Sequence, residues 1–196
     1  MGNIKSALDI AREKIEKLEK ATDEERLKWK YVPEGEKLAV KYLKQGCNLV
    51  VEMSQYEENI RKYIIEGAAD ILTRNINLPR DDSARKNNRK AMDGLKNLKS
   101  DKVGVENVFS KIRYVFNHYT EQGEQQRRQA YERLKTEVEA RVQEKLRQQL
   151  VSFVAGSIDV ERQPQFQEEW RRIQAQLDSQ YLKHLDEYKQ ELSAIA

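Results

Sequence analysis

The sequence has few of the residues that form turns between strands. Of its 196 residues, only 3 are proline and 8 are glycine. Sheet proteins need a turn between most neighbouring strands, and those turns depend on glycine and proline. This scarcity excludes a β-sandwich. It also excludes a collagen helix and a linker rich in glycine and proline.

Cysteine and histidine are scarcer still, with 1 and 2 copies respectively. Cys47 cannot form an intramolecular disulfide, and no cysteine–histidine spacing is typical of a zinc site. His118 and His184 each precede a glutamate by three residues, Glu121 and Glu187. A di-iron bundle has the opposite order, with the glutamate first. The sequence therefore predicts no metal-binding residues and no cofactor.

Signatures of catalysis and of membrane insertion are missing too. There is no glycine-rich phosphate loop, no dinucleotide-binding fingerprint and no Gly-x-Ser-x-Gly elbow. No apolar run approaches 18 residues, and charges interrupt the first twenty residues every few positions. We therefore expect no catalytic residues, no membrane insertion and a cytoplasmic location. The start Met1–Ser6 fits a loose myristoylation pattern, which we interpret as the capped start of a helix.

Charge and helical periodicity dominate the sequence. Charged residues make up 35% of the chain, and 36 basic against 33 acidic residues leave a net charge of +3. Apolar residues recur at spacings of three and four in most of the chain, which is typical of amphipathic helices. These features predict an all-α protein. The stripes predict helices over about 4–21, 23–32 (stopping before Pro33), 33–78 (one long helix with a bend at Gly46 or Gly67), 82–98, 105–152 and 160–195.

Composition changes near residue 120. All ten asparagines lie at or before Asn117, whereas 14 of 16 glutamines lie from Gln122 onward. We predict an N-terminal helical domain (1–120) followed by a long antiparallel helical hairpin (121–196), a coiled-coil-like extension that bends near Gly156. The alternative is a helix that starts near residue 105 and continues through this boundary, with Gly123 as the place where it would break.

The first arm of the predicted hairpin carries an apolar residue at nearly every fourth position. This spacing exceeds the helical period of 3.6, so the stripe favours a right-handed supercoil. An exposed stripe of this length needs a partner, which is the last helix of the chain, a second copy or another helical protein. We predict a helix-pairing interface at Leu134, Val138, Val142 and Leu146.

The segment 80–99 holds seven basic and three acidic residues, a net charge of +4. Lysine and arginine contact phosphates without a fixed motif, so this segment predicts a phosphate-contacting surface and nucleic-acid binding as an alternative function. No aromatic residue lies within it to stack on bases. The candidate phosphate-contacting residues are Arg80, Arg85, Lys86, Arg89 and Lys90.

The stretch QAYERLKTEVEARVQEKLRQQL, within residues 121–155, resembles the helical peripheral-stalk subunits of rotary ATPases. The resemblance is one of composition, and the first 120 residues depart from it. It implies a stalk-like subunit as a further alternative. The sequence itself does not define a cellular role, and it favours a non-enzymatic assembly protein that contacts itself or another helical protein.

Overall fold

The computed structural model describes Ser6, residues 21–148 and residues 159–195. Every regular element in these ranges is helical, and no strand occurs in them, which confirms the all-α prediction. Most of the predicted first helix, the start Met1–Lys5 and the predicted bend at Gly156 lie outside the described residues. None of the helices in the described ranges has the length and hydrophobicity that a membrane span requires.

Within the described residues, six α-helices and one 3-10 turn follow one another. The bounds are α1 Asp23–Gln45, α2 Leu49–Ser54, α3 Glu58–Arg74, α4 Asp82–Leu98, α5 Lys102–Gln148, the 3-10 turn Val160–Arg162, and α6 Pro164–Ala194.

Helix α1 does not stop before Pro33, so that prediction is wrong. A proline inside a helix removes one main-chain hydrogen bond and costs about 3 kcal/mol. The helix continues because its start is strongly capped and its two halves both pack on α3. The Thr22 hydroxyl accepts from the Glu25 amide, and the Glu25 carboxylate accepts from the Thr22 amide.

The apolar stripe between residues 33 and 78 belongs to three helices rather than the single helix predicted. α1 ends at Gly46, whose φ of 78° is left-handed and favours glycine. The side chain of Asn48 then caps α2 by accepting from the amides of Val50 and Val51. A second break precedes α3. Periodicity continues across both breaks because the short connections keep the apolar faces on one core.

Helix α5 runs through Gly123 without a break and contains 47 residues, about 70 Å at 1.5 Å per residue. The helix is therefore continuous rather than broken at Gly123, whereas the predicted domain boundary near residue 120 is not tested by this continuity. α6 starts on Pro164 rather than at the predicted residue 160, because a 3-10 turn occupies Val160–Arg162 and the missing amide of proline costs nothing in the first helical turn.

The chain divides into two compact units built from non-contiguous segments. The first unit comprises Met1–Ile76, Lys86–Val105 and Ser193–Ala196. In it α1 packs mainly on α3. Gly94 of α4 lies beside the side chains of Tyr42 from α1, Leu49 from α2 and Leu72 from α3. The buried side chains of this unit include Leu38, Leu49, Ile64, Leu72, Ile76, Leu95 and Val105.

The second unit comprises Asn77–Arg85 and Glu106–Leu192. Contacts between α5 and α6 run antiparallel along this unit, since residues late in α5 meet residues early in α6. The connection between them is outside the described residues, so the hairpin stays a prediction, as does the domain boundary near 120. The contacts that define the direction are Lys111–Glu191, His118–Tyr181, Tyr131–Phe166 and Arg141–Glu169.

Candidate functional site

A polar cleft in the second unit collects four arginines. Its volume is about 530 Å³. Arg80 comes from the loop before α4, Arg85 from the first turn of α4, Arg127 from α5 and Arg171 from α6. We call it the arginine cleft. The other lining residues are Pro79, Tyr119, Thr120, Glu124, Gln174, Ala175 and Asp178.

The carboxylate of Asp178 lies at the base of the cleft and pairs with two of these arginines, Arg80 and Arg127. Its side chain is only 7% exposed, and its Oδ2 accepts from Arg80 Nη2 at 2.7 Å. Arg127 Nη1 lies 3.9 Å from Oδ1, close enough for attraction between the charges but too far for a hydrogen bond. Both of these atoms are buried without a hydrogen-bond partner. The carboxylate therefore holds the two guanidiniums in place while using only part of their hydrogen-bonding capacity.

Tyr119 fixes the position of Arg127 on α5. The guanidinium lies over the Tyr119 ring, 4.2 Å from its centroid, and Nη2 donates to the Tyr119 carbonyl at 3.3 Å. Tyr119 is itself 3% exposed and packs edge-on against Tyr181. Burial raises the pKa of the Tyr119 hydroxyl against the opposing effect of Arg127, so the phenol stays neutral at physiological pH.

Gly123 leaves the space that this arrangement needs. A Cβ built there would lie 3.1 Å from Arg127 Nη1 and 3.2 Å from the Tyr181 hydroxyl. The predicted break point in α5 is therefore a packing position, where the helix continues and a small residue leaves room for Arg127 of the next turn and for Tyr181 of α6.

The lining of the cleft carries more positive than negative charge. Four guanidiniums face two carboxylates, those of Asp178 and Glu124. Arg85 also pairs with Asp82 at 3.1 Å, but both side chains are mostly exposed, so this pair is weak and exchangeable. Planar guanidiniums from separate segments suit the oxygens of a phosphate or carboxylate. The arrangement can bind an anion.

The structure separates the predicted phosphate-contacting residues. Arg80 and Arg85 line the cleft. Lys86 and Arg89 are exposed on α4, whereas Lys90 donates to the Leu43 carbonyl at 2.8 Å. Lys90 is thus used in packing, and the cluster predicted from the basic segment is only partly brought together.

The predicted helix-pairing residues lie in a core of the second unit. Leu134 and Val138 are buried with Val160 and Phe166, and Val142 packs against them partly buried. The side chain of Leu146 is outside the described residues. The three described residues thus face the chain's own 3-10 turn and α6, one of the partners that the stripe allows.

Of the residues that line the cleft, the sequence predicts only Arg80 and Arg85 as site residues. The other two arginines, Arg127 and Arg171, and the buried acid Asp178 are among those it misses. Arg127 stands in a polar run that reads as solvent-exposed surface. Asp178 carried a signal, because it lies three positions before Tyr181 and seven before Leu185, on the apolar face of α6. An acid on an apolar face needs a buried cation.

The described residues contain no group of three or more histidine, cysteine, aspartate or glutamate side chains that could hold a metal ion.

Comparison with known protein families gives a match: the sequence model of DUF6657, a family of unknown function, matches residues 50–194, about three quarters of the chain. The matched range contains every residue of the arginine cleft. No curated protein and no solved structure matches the chain.

Proposed function

Since the chain belongs to this family of unknown function, we propose from the arginine cleft that it is a non-enzymatic helical binding protein that recognises an anionic ligand. The observation that carries the proposal is the convergence of four guanidiniums from separate segments on one cleft, with two lining carboxylates to oppose them. The cytoplasmic location expected from the sequence is part of this proposal.

The burial of Asp178 supports binding rather than packing alone. A salt bridge kept only for stability gains little, because desolvation offsets most of the attraction between the charges. Here Asp178 orders Arg80 and Arg127, while Arg85 pairs with Asp82 and Arg171 Nε donates to the Gln167 carbonyl. An anion entering the cleft meets guanidiniums that are already positioned, which lowers the entropic cost of binding.

Titration of the full chain with inorganic phosphate tests the proposal. At low ionic strength we expect saturable binding by calorimetry, with a Kd of about 1 mM or tighter. The double variant Arg85→Gln/Arg171→Gln should weaken binding at least about tenfold, since each removes a charged hydrogen-bond donor. Neither residue contacts Asp178 in the ion pairs described, so the fold should remain intact.

A matched variant keeps the same net charge but leaves the cleft untouched. Arg89 is exposed on α4, and Arg172 pairs with Glu168 on α6. Arg89→Gln/Arg172→Gln should bind phosphate as the wild type does. Equal binding by wild type and the cleft variant would refute the proposal.

Nucleic-acid binding through segment 80–99 is the second candidate, because Lys86 and Arg89 are exposed there. It predicts that Arg89→Gln weakens binding as much as Arg85→Gln, whereas the cleft predicts a loss only for Arg85. Assembly with a second copy or a helical partner remains a proposal, as does a stalk-like role. Since Leu134, Val138 and Val142 pack within the second unit, such a partner would bind to other surfaces.

A further inference from the structure

The walls of the arginine cleft are polar beyond their charges. Glu124 and Thr120 lie one helical turn apart on α5, and Gln174 lies on α6 between Arg171 and Asp178. The apolar part of the lining consists of Pro79, Ala175 and the edge of Tyr119. A carboxylate, an amide and a hydroxyl are groups that pair with ligand hydroxyls.

The cleft offers little to an aromatic or an acyl group. Tyr119 is its only aromatic lining residue among those described; it is 3% exposed, and Arg127 covers its ring. A nucleobase therefore has no exposed face of Tyr119 to stack on. An acyl chain would need an apolar wall to bury against, and Pro79 and Ala175 are small.

The spacing of the polar groups fits a ligand that has an anionic group at one end and a polar substituent at the other. Gln174 lies three residues after Arg171, so their Cβ atoms are about 5–6 Å apart on one face of α6. The volume of about 530 Å³ falls within the range of small-molecule sites and leaves room beyond an anion. An anionic group at the arginines thus places its substituent beside Gln174 and Glu124.

We infer that the ligand of the arginine cleft is a small, hydroxyl-rich phosphate monoester, such as a phosphorylated sugar or polyol. This inference rests on the proposed function, because the phosphate is bound by the same arginines. The hydroxyls donate to the Glu124 carboxylate and accept from the Gln174 amide, while Thr120 retains oxygen lone pairs after donating to the Phe116 carbonyl. The phosphate dianion balances the two positive charges in excess in the lining.

Calorimetry with the full chain and four probes tests this ligand class. The probes are inorganic phosphate, glucose 6-phosphate, n-butyl phosphate and a single-stranded oligothymidylate. Glucose 6-phosphate should bind about tenfold tighter than the two phosphates without hydroxyl-bearing carbons, because two added hydrogen bonds to the cleft contribute about one decade. The double variant Glu124→Ala/Gln174→Ala, which removes both hydrogen-bonding side chains, should lose this preference and still bind inorganic phosphate. Glu121→Gln, on the exposed surface of the same helix, should change neither.

The outcomes separate the inference from the proposed function. Equal affinity for glucose 6-phosphate and n-butyl phosphate would overturn the hydroxyl requirement while leaving a phosphate site. Loss of binding to all four probes would overturn both. Tighter binding of the oligothymidylate than of glucose 6-phosphate, dependent on Arg85, would replace the small ligand by nucleic acid.

Discussion

Gly35 and Gly67 set how closely α1 and α3 approach within the first unit. A Cβ on Gly35 would overlap the Ile64 carbonyl, and a Cβ on Gly67 would overlap the Val32 carbonyl, both at separations that real Cβ atoms do not show. The contact is reciprocal, and both obstacles are main-chain atoms of a helix, which cannot rotate away. These two glycines are therefore required for close packing rather than for backbone freedom.

Gly67→Ala should destabilise the first unit by at least about 2 kcal/mol. Alanine favours a helix over glycine by about 1 kcal/mol, but a clash with the main chain forces the helices apart and costs more than this gain. Thermal or urea unfolding measures the difference. Lys37→Ala, on the exposed surface of α1, should change stability little. A Gly67→Ala protein as stable as wild type would mean that the helices can separate without cost.

Glu24 makes the first unit sensitive to acid. Hydrogen bonds from Lys62 Nζ and the Tyr63 hydroxyl, at 3.0 and 3.1 Å, lower the pKa of its carboxyl below 4.5. A lowered pKa in the folded state contributes stability above the unfolded pKa, and that stability is lost as pH falls through the folded pKa. Glu24→Gln should therefore lower Tm at pH 7, and the difference from wild type should shrink below about pH 4. The matched change Glu58→Gln, at an exposed glutamate, should lower Tm at pH 7 less than Glu24→Gln does. A Glu24→Gln difference that grows on acidification would contradict the assignment.

At the scale of elements, the start and end signals worked where local chemistry decides. Asp81 caps α4 by accepting from the Ala84 amide at 2.7 Å, and the helix begins at Asp82 and ends at Leu98 as predicted. Pro164 opens α6, and Gly46 closes α1. The expectation that a proline ends a helix is wrong at Pro33, because the packing of α1 on α3 outweighs the loss of one main-chain hydrogen bond. Helix propensity is a local contribution to the free energy of folding, and the free energy gained from tertiary contacts can exceed it.

The antiparallel contact of α5 with α6 depends on the Leu134 cluster. Leu134 is 3% exposed, and its neighbours include Val160 and Phe166. Leu134→Ala should destabilise the second unit by about 2–5 kcal/mol, since it removes buried methyl groups and leaves a cavity. Chemical denaturation measures this. Glu137→Ala, exposed on the same helix, is the matched control and should cost less than about 0.5 kcal/mol.

At the scale of the whole molecule, chain order and compact units do not coincide. α4 and α5 each contribute residues to both units, and the last residues of the chain return to the first unit, where Lys99 Nζ donates to the Ile195 carbonyl. A single boundary drawn from the amino-acid composition therefore cannot reproduce units that are built from non-contiguous segments of the chain. The change from asparagine to glutamine near residue 120 falls inside α5.

A fragment of residues 1–120 should therefore not fold as the full chain does. It lacks α6, so Tyr119 loses Tyr181 and the buried residues Phe109 and Ile112 remain on a helix without its described partner. We expect self-association in gel filtration with light scattering and a broad, non-cooperative thermal transition. A monomeric fragment that unfolds with the Tm of the full chain would instead support an independent domain ending near residue 120.

Apolar spacing and the residues within one helical turn are enough to predict that the protein is helical, which stripe of α5 is apolar, and the bounds of α4, α5 and α6 to within a few residues. Tertiary packing divides the stripe at 33–78 among three helices and brings Gly35 and Gly67 together. It also decided that Arg80 and Arg127, 47 positions apart, share Asp178. Helical periodicity is a local property that single segments carry, whereas a binding cleft is a juxtaposition of distant segments, which the packing of a whole core creates.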